Sequence, residues 1–242
     1  MIWSILARDD EGRFGAAIAS RFFAVGAYCL HAQRGVGIVA TQALMNPLYG
    51  PAALMLLAQG HAPRSVVAAL IAADAGCDQR QLHLLGALGP PAAHSGAACI
   101  DWCGQTSGAH YSVAGNMLAG PQVLAATAEA FERSAGGTLA ERLLAALAAG
   151  EAAGGDKRGK QSAALVIQGD EDRLELDLRV DDHAEPVREL LRLHAVSGER
   201  FQPFVACLAG RHDAVGELDR TRIEAAIERF HVARAAQRGE PH

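Results

Sequence analysis

The chain has 242 residues, of which half are apolar and one fifth are charged, and its formal net charge is −5. This length predicts one large domain, or a domain with a short appendage, and the apolar content suffices for a sizeable core. The acidic balance argues against a nucleic-acid partner, which would need a basic surface, and no apolar run reaches the roughly 18 residues that span a bilayer.

The expected location is the cytoplasm. The first ten residues lack the basic start of a secretory signal. The five cysteines are an odd number in a long chain, which suits a reducing compartment. Cys99 and Cys103 lie close together, but no second close pair follows them, so we expect neither a metal ion nor another cofactor.

The N-terminal part of the chain predicts two β-hairpins followed by two helices. Apolar runs separated by turn residues place four strands at 2–7, 14–19, 26–33 and 36–41. Strands this apolar indicate a sheet that is covered on both faces. Proline suits the first turn of a helix, so Pro51 and Pro63 predict helices that run to about residues 59 and 71.

The middle of the chain predicts further strands and a second pair of helices. Short apolar segments place strands at 82–88, 92–98 and 111–114. A helix is expected from Pro121 to about Arg133, and Thr138 with Glu141 matches the capping box that begins the next helix. A last hairpin is expected at 162–168 and 174–180, where the second strand alternates apolar and charged residues.

After residue 182 the sequence becomes charged and amphipathic, and we expect helices at 185–195 and 219–236. The chain is therefore predicted to have two parts, a main domain over residues 1–182 and a C-terminal helical extension over residues 183–242. In the main domain, strands and helices come in alternating blocks. This order indicates a layered α+β sandwich, in which two sheets face each other and helices cover the outside.

Residues 154–162 are the strongest indication of a functional site. Three glycines free the backbone of this segment, and a carboxylate, a guanidinium and two ammonium groups lie among them. The Arg158 guanidinium suits a carboxylate ligand, and Asp156 could hold a ligand ammonium or orient Arg158. Two simpler interpretations stay open, namely a solvated turn and an internal ion pair that fixes the loop.

Several segments, taken together, resemble one family. They are Ser4–Asp9, Ala17–Gly26, Gly35–Ala43, the residues Asn46, Tyr49, Gly50, Gly96, Cys99 and Trp102, and finally Gly115–Leu118 and Gly154–Ala164. In this order they are similar to the family catalogued as domain of unknown function 1028, members of which have the fold of N-terminal-nucleophile (Ntn) hydrolases. The resemblance covers about residues 1–182 and implies a four-layer αββα sandwich.

The resemblance also implies amide hydrolysis, in which an N-terminal Thr, Ser or Cys attacks and its α-amine serves as the base. This chain departs from that pattern, because Ile2 follows Met1. The candidate catalytic residues are therefore Ser4, the nearest hydroxyl, and Ser20, at the strand end where a fold of this kind opens its site. The alternative for Ser4, which its apolar surroundings favour, is a small buried hydroxyl bonded to the backbone.

Seven polar residues near strand ends and glycines are candidate substrate-binding residues, because such groups can polarise a carbonyl or hold a charged end. They are Arg21, Thr41, Gln42, Asn46, Asn116, Asp156 and Arg158. Turn and helix-cap chemistry are the alternatives for the amide and hydroxyl members of this set.

The expected function is an Ntn-type amidohydrolase that cleaves an amide bond in a small charged or peptide-like substrate. We expect a homo-oligomer with a small-molecule or peptide-like partner and without a nucleic-acid or membrane partner. The alternative is a ligand-binding or assembly protein on the same fold that has lost the N-terminal nucleophile and has no catalytic activity.

Overall fold

The computed structural model describes residues 2–238, so Met1 and residues 239–242, at the ends of the two predicted parts, lie outside it. Ten strands and seven α-helices occur within this range. The strands are β1 (Ile2–Arg8), β2 (Phe14–Ser20), β3 (Leu30–Gln33), β4 (Gly37–Ala43), β5 (Arg80–Gly86), β6 (Ala92–Ser95), β7 (Gly104–Ser107), β8 (Tyr111–Asn116), β9 (Ser162–Gln168) and β10 (Leu176–Val180). The helices are α1 (Tyr49–Ala58), α2 (Pro63–Ala72), α3 (Gln122–Arg133), α4 (Leu139–Ala152), α5 (Pro186–Ser197), α6 (Phe201–Val205) and α7 (Arg220–Arg238).

The strands pair antiparallel in two sheets. The larger sheet has six strands in the order β10-β9-β2-β1-β8-β7, and the smaller has four in the order β3-β4-β5-β6. In the larger sheet, Ser4 of β1 lies between Ile18 of β2 and Ala114 of β8. The mixed α+β class expected from the sequence is confirmed.

Successive side chains of β1 pack in different cores, because successive residues of a strand point to opposite faces. Trp3 and Ile5 pack with residues of α3 and α4, among them Leu143 and Leu147. Ile2 and Leu6 lie on the other face and belong to apolar clusters between the two sheets. Ser4 shares this second face, as the sequence predicts.

Helices cover the outer face of each sheet. Leu54 of α1 and Val67 of α2 pack on Val39 and Leu82 of the smaller sheet. On the larger sheet, α5 joins α3 and α4 in one core through buried Val187 and Leu190. Helix α5 thus contributes to the core of the main domain, although the sequence boundary at residue 182 assigns it to the extension.

Three segments differ from the predicted elements. The strand expected at 26–33 begins only at Leu30, because residues 25–27 form a short 3₁₀ turn in which Gly26 lies against the Ala164 side chain. The strand β7 and the short helix α6 were not predicted. Because β7 is a polar, largely exposed edge strand, it has no apolar alternation to identify it. The Thr138–Glu141 capping box is confirmed at the start of α4.

Candidate functional site

The predicted catalytic residue Ser4 lies in a buried polar network between the sheets. Its hydroxyl donates to Gln42 Oε1 at 2.7 Å and lies 2.8 Å from His83 Nε2. The other ring nitrogen of His83, Nδ1, lies 2.9 Å from the Ser112 hydroxyl. Ser4 and His83 have no exposed surface, and burial lowers the pKa of His83 to about 3, so the ring is neutral at physiological pH.

The network continues through three side-chain amides. Gln42 Nε2 donates to Gln81 Oε1 at 2.7 Å, and Asn116 Nδ2 donates to the same oxygen at 3.0 Å. Gln81 Nε2 in turn donates to the Gly115 carbonyl at 2.9 Å. The structure thus brings the predicted residues Ser4, Gln42 and Asn116 together. We call this set, with Gln81, His83 and Ser112, the inter-sheet network.

The direction of these hydrogen bonds decides what Ser4 can do. A hydroxyl can donate only one hydrogen bond, and Ser4 donates its hydrogen bond to Gln42 Oε1. His83 Nε2 must therefore donate to Ser4, and Nδ1 must accept from Ser112. In this tautomer the imidazole N–H donates a hydrogen bond to the Ser4 oxygen. A base that activates a nucleophilic serine must instead accept the hydrogen bond from the serine hydroxyl. The inter-sheet network is thus arranged for packing and not for attack by Ser4.

A second group of predicted residues meets at the loop of residues 154–162, which we call the glycine loop. The Asp156 side chain is 1 % exposed. Its Oδ2 accepts the backbone N–H of Arg21 at 2.7 Å, and its Oδ1 accepts that of Arg158 at 2.8 Å. Its Oδ2 also lies 3.3 Å from Nη2 of the partly exposed Arg158 guanidinium. Asp156 therefore fixes the loop to the end of β2, as the internal ion-pair interpretation expects.

The backbone of the glycine loop explains its composition. Gly154, Gly155 and Gly159 have φ values of +119°, +46° and +111°. A side chain at Gly154 would also meet the Ala119 methyl at 2.7 Å. Because residues with a Cβ rarely adopt such φ values, glycine at these positions lets the loop turn back onto β1 and β2.

A cavity of about 80 Å³ lies beneath the glycine loop, and we call it the glycine-loop cavity. Its walls combine a hydroxyl residue, two carboxylates, an ammonium and an indole, contributed by Ser20, Glu151, Asp156, Lys160 and Trp3. Lys160 Nζ lies 2.6 Å from Glu185 Oε2 and 3.1 Å from Glu151 Oε1. The hydrogen bond that Lys160 donates to Glu185, supported by Glu151, raises the pKa of Lys160 above its usual range, so Lys160 is charged.

Two of the lining residues, Trp3 and Glu151, each carry a buried polar atom with no hydrogen-bond partner among the described residues, namely Trp3 Nε1 and Glu151 Oε2. Arg21 is exposed beside the cavity, and its Nη1 donates to the Lys160 carbonyl at 2.8 Å. The glycine-loop cavity thus has an acidic wall with one unfilled acceptor and a cationic rim.

The remaining predicted residues, Thr41 and Asn46, belong to a third place. The Thr41 hydroxyl donates to the Asn46 carbonyl at 3.1 Å, and Asn46 Nδ2 donates to Asp74 Oδ2 at 3.1 Å. Tyr49 donates to the same oxygen at 2.9 Å. The Gly76 N–H, Asn46 and Tyr49 hold the pKa of Asp74 well below its usual range. Thr41 and Asn46 therefore have the turn role that the sequence left open.

Sequence reasoning missed His83, Gln81 and Glu151. His83 and Gln81 lie in the otherwise apolar strand β5. The signal in the sequence was that these two polar residues are two positions apart and so share one face of the strand. Glu151 lies in the last turn of the alanine-rich helix α4, and the position of this carboxylate just before the glycine loop could have indicated it. Within residues 2–238, no cluster of three or more metal-ligating side chains occurs, and no helix is long and apolar enough to cross a membrane.

Comparison with known proteins assigns the chain to a family. The model of the family of unknown function DUF1028 matches residues 2–190, so the chain belongs to this family. Protein SPO2555 from Silicibacter pomeroyi, a solved structure of the same family, is 32% identical, with a TM-score of 0.83 over 90% of this chain and 99% of that one. No curated protein matches the chain.

Two further solved structures are more distantly similar. Anbu (ancestral beta-subunit) from Yersinia bercovieri has a TM-score of 0.42 at 14% identity, over 81% of this chain and 94% of that one. The Gly-1 mutant of Anbu from Hyphomicrobium sp. strain MC1 has a TM-score of 0.39 at the same identity and coverage.

Proposed function

We propose that the chain is an amidohydrolase with an Ntn-type fold, in which an internal hydroxyl replaces the N-terminal nucleophile, and that it cleaves an amide bond in a small, charged, peptide-like substrate at the glycine-loop cavity. The packing of α1 and α2 on the smaller sheet, and of α3 and α4 on the larger, supports a four-layer αββα sandwich. Concave sites with a few convergent polar groups are where proteins usually bind small molecules.

The observation that carries the proposal is the meeting of Ser20, Glu151, Asp156 and Lys160 around one cavity. These residues come from the end of β2, the end of α4 and the glycine loop, far apart in the sequence. A hydroxyl residue, carboxylates and an ammonium in one cavity supply the nucleophile and the charges that amide hydrolysis uses. We assign the attacking hydroxyl to Ser20, because Ser20 lines this cavity whereas Ser4 lies in the inter-sheet network.

The cavity also supports the class of substrate. A volume of about 80 Å³ admits a small head group, so the rest of the compound would extend past Arg21 to the outside. Asp156 already accepts from Arg21 and Arg158, so it is a positioning residue for the loop. The unfilled Oε2 of Glu151 is then the acceptor for the ammonium or N–H end of a substrate, and Arg21 and Arg158 are the partners for its carboxylate.

The test uses the purified full chain with a panel of N-acyl amino acids, dipeptides and ureido acids, and mass spectrometry of the products. We expect turnover of at least one member, with Ser20→Ala lowering kcat at least about 100-fold. Ser107→Ala, at an exposed serine of β7, is the matched control and should retain full activity. Absence of turnover across the panel, or full activity in Ser20→Ala, would refute the proposal.

The second candidate is ligand binding without catalysis on the same fold. It is favoured by one observation, namely that Ser4, the hydroxyl residue nearest the N-terminus, is fully buried and donates its hydrogen bond to Gln42. Under this alternative, members of the same panel raise the melting temperature but are recovered intact. The intact mass is a further discriminator, since a chain processed to begin at Ser4 would favour a hydrolase with Ser4 as its N-terminal nucleophile and would overturn the assignment of the attack to Ser20.

A further inference from the structure

A mainly apolar cavity lies at the other end of β2 and β9, where the extension closes over the main domain. Strands β2 and β9 pair from Phe14↔Gln168 to Ser20↔Ser162, so Arg13 and Gly169 mark the end opposite to the glycine loop. A cavity of about 700 Å³ lies there, bounded by the start of α4, the β9–β10 hairpin, α5, α6 and α7. We call it the C-terminal cavity.

The cavity wall is mainly apolar. Buried Leu139, Ile167 and Leu176 form its floor on the main domain, and Val205 and Phe230 form its roof on α6 and α7. The family model ends at residue 190, so the roof comes from the part of the chain beyond the matched region. A volume of about 700 Å³ is within the range of small-molecule sites, about 300–1,000 Å³.

The acidic side chains of the wall are already engaged. Glu141 accepts the N–H and the hydroxyl of Thr138 at 3.0 and 2.9 Å, in the capping box of α4. Glu171 accepts the backbone N–H of Arg211 at 3.1 Å and pairs with Arg173 at 3.6 Å. Their oxygens thus have donors within the protein, and a cationic ligand would have to displace those donors.

The same wall also carries a cation, the Arg234 guanidinium. It reaches the wall from α7, one residue after Ala233 and four after Phe230. Burial raises the pKa of Glu141, but the hydrogen bonds from Thr138, and after them the charges of His194 and Arg234, outweigh burial and hold that pKa below its usual range. Within residues 2–238, no described side chain lies within 4 Å of the Arg234 guanidinium as an ion-pair partner. Its Nη1 packs against the backbone of Gly198, just after α5. An arginine without a described ion-pair partner beside an apolar wall is suited to a carboxylate with an apolar body.

We propose that the C-terminal cavity binds a free, monomeric amphipathic carboxylate, with its apolar chain between Leu139, Ile167 and Phe230 and its carboxylate on Arg234. This site is separate from the glycine-loop cavity, at the opposite end of two seven-residue strands, roughly 20 Å away. Its occupation does not depend on the proposed hydrolase activity.

The test is calorimetric titration of the full chain with decanoate, and with decylamine and decan-1-ol as probes of equal chain length. We expect saturable binding of decanoate, weaker binding of the alcohol and none of the amine. Arg234→Gln should weaken decanoate binding at least about tenfold, as loss of a charge-assisted hydrogen bond predicts, and leave the alcohol unaffected. Arg234→Lys should recover part of the loss.

A filling variant tests the position. Ala233 is exposed on α7 and lines the cavity, so Ala233→Trp should exclude decanoate, whereas Val232→Trp, at a 51% exposed neighbour outside the wall, should bind as the wild type does. Equal binding of decanoate and decylamine, no saturable binding of decanoate, or unchanged binding in both Ala233→Trp and Arg234→Gln would overturn the proposal.

Discussion

Replacement of His83 by glutamine should remove part of the acid sensitivity of the fold. Burial lowers the pKa of His83 to about 3, whereas an unfolded histidine titrates near 6.5. Between these two values the unfolded chain binds a proton that the folded chain does not. The free energy of unfolding therefore falls as the pH falls, beginning at the unfolded pKa and ending near the folded one.

The magnitude follows from linkage. At about pH 5, which is about 1.5 units below the unfolded pKa, the loss is about 2 kcal/mol relative to pH 7.5, because each unit corresponds to about 1.4 kcal/mol. His83→Gln lacks this titration but keeps one donor and one acceptor for Ser4 and Ser112. Its absolute stability will be lower at pH 7.5, and its further loss on acidification should be smaller than that of the wild type by about 2 kcal/mol.

The assay is urea unfolding at several pH values between 7.5 and 5, followed by circular dichroism. The quantity compared is the change with pH in the free energy of unfolding, in which groups shared by the two proteins cancel. His61→Gln, at an exposed histidine, controls for the loss of one imidazole from the composition. Parallel pH dependences of wild type and His83→Gln would show that the imidazole is not held neutral by burial, and the reasoning would fail.

Two further predictions concern packing and the glycine loop. Gly150→Ala should destabilise the fold by about 1–3 kcal/mol, because the new methyl would meet the Thr127 hydroxyl and would lie 2.8 Å from Trp3 Nε1. Gly136→Ala, where nothing lies within 4 Å, is the control, and equal thermal midpoints for the two variants would contradict this account. Asp156→Ala should cost about 2–4 kcal/mol in urea unfolding, because two backbone N–H groups lose their acceptor, while Arg158→Ala should cost under about 1 kcal/mol. Similar losses for both would mean that the ion pair, and not the backbone contacts, fixes the loop.

The sequence predicted most of the strands because their apolar residues alternate or run continuously. It predicted the face of Ser4 from its spacing to Ile2 and Leu6, which needs only the two-residue period of a strand. It failed where a local signal was absent. The polar edge strand β7 has no apolar face, and the 3₁₀ turn at Val25 depends on contact between Gly26 and the distant Ala164.

The sequence identified several residues of the candidate site, but it did not predict which of them lie together. Gln42 and Ser4 lie 38 positions apart, and the partner Gln81 lies a further 39 positions along the chain. No spacing rule relates side chains of strands in different sheets, so the sequence could not separate residues of the inter-sheet network from residues of the glycine loop. Only Asp156 and Arg158, two positions apart, could be paired from sequence alone.

The one-way order of donors and acceptors in the inter-sheet network has a consequence for how this family can diverge. Ser112, His83, Ser4, Gln42 and Gln81 pass hydrogen bonds along a single direction. If a substitution replaces a donor with an acceptor, the neighbouring acceptor loses its hydrogen bond. Such a substitution is therefore tolerated only with a compensating substitution at the neighbouring position. We expect these five positions to co-vary in pairs, whereas the apolar residues around them can exchange one at a time.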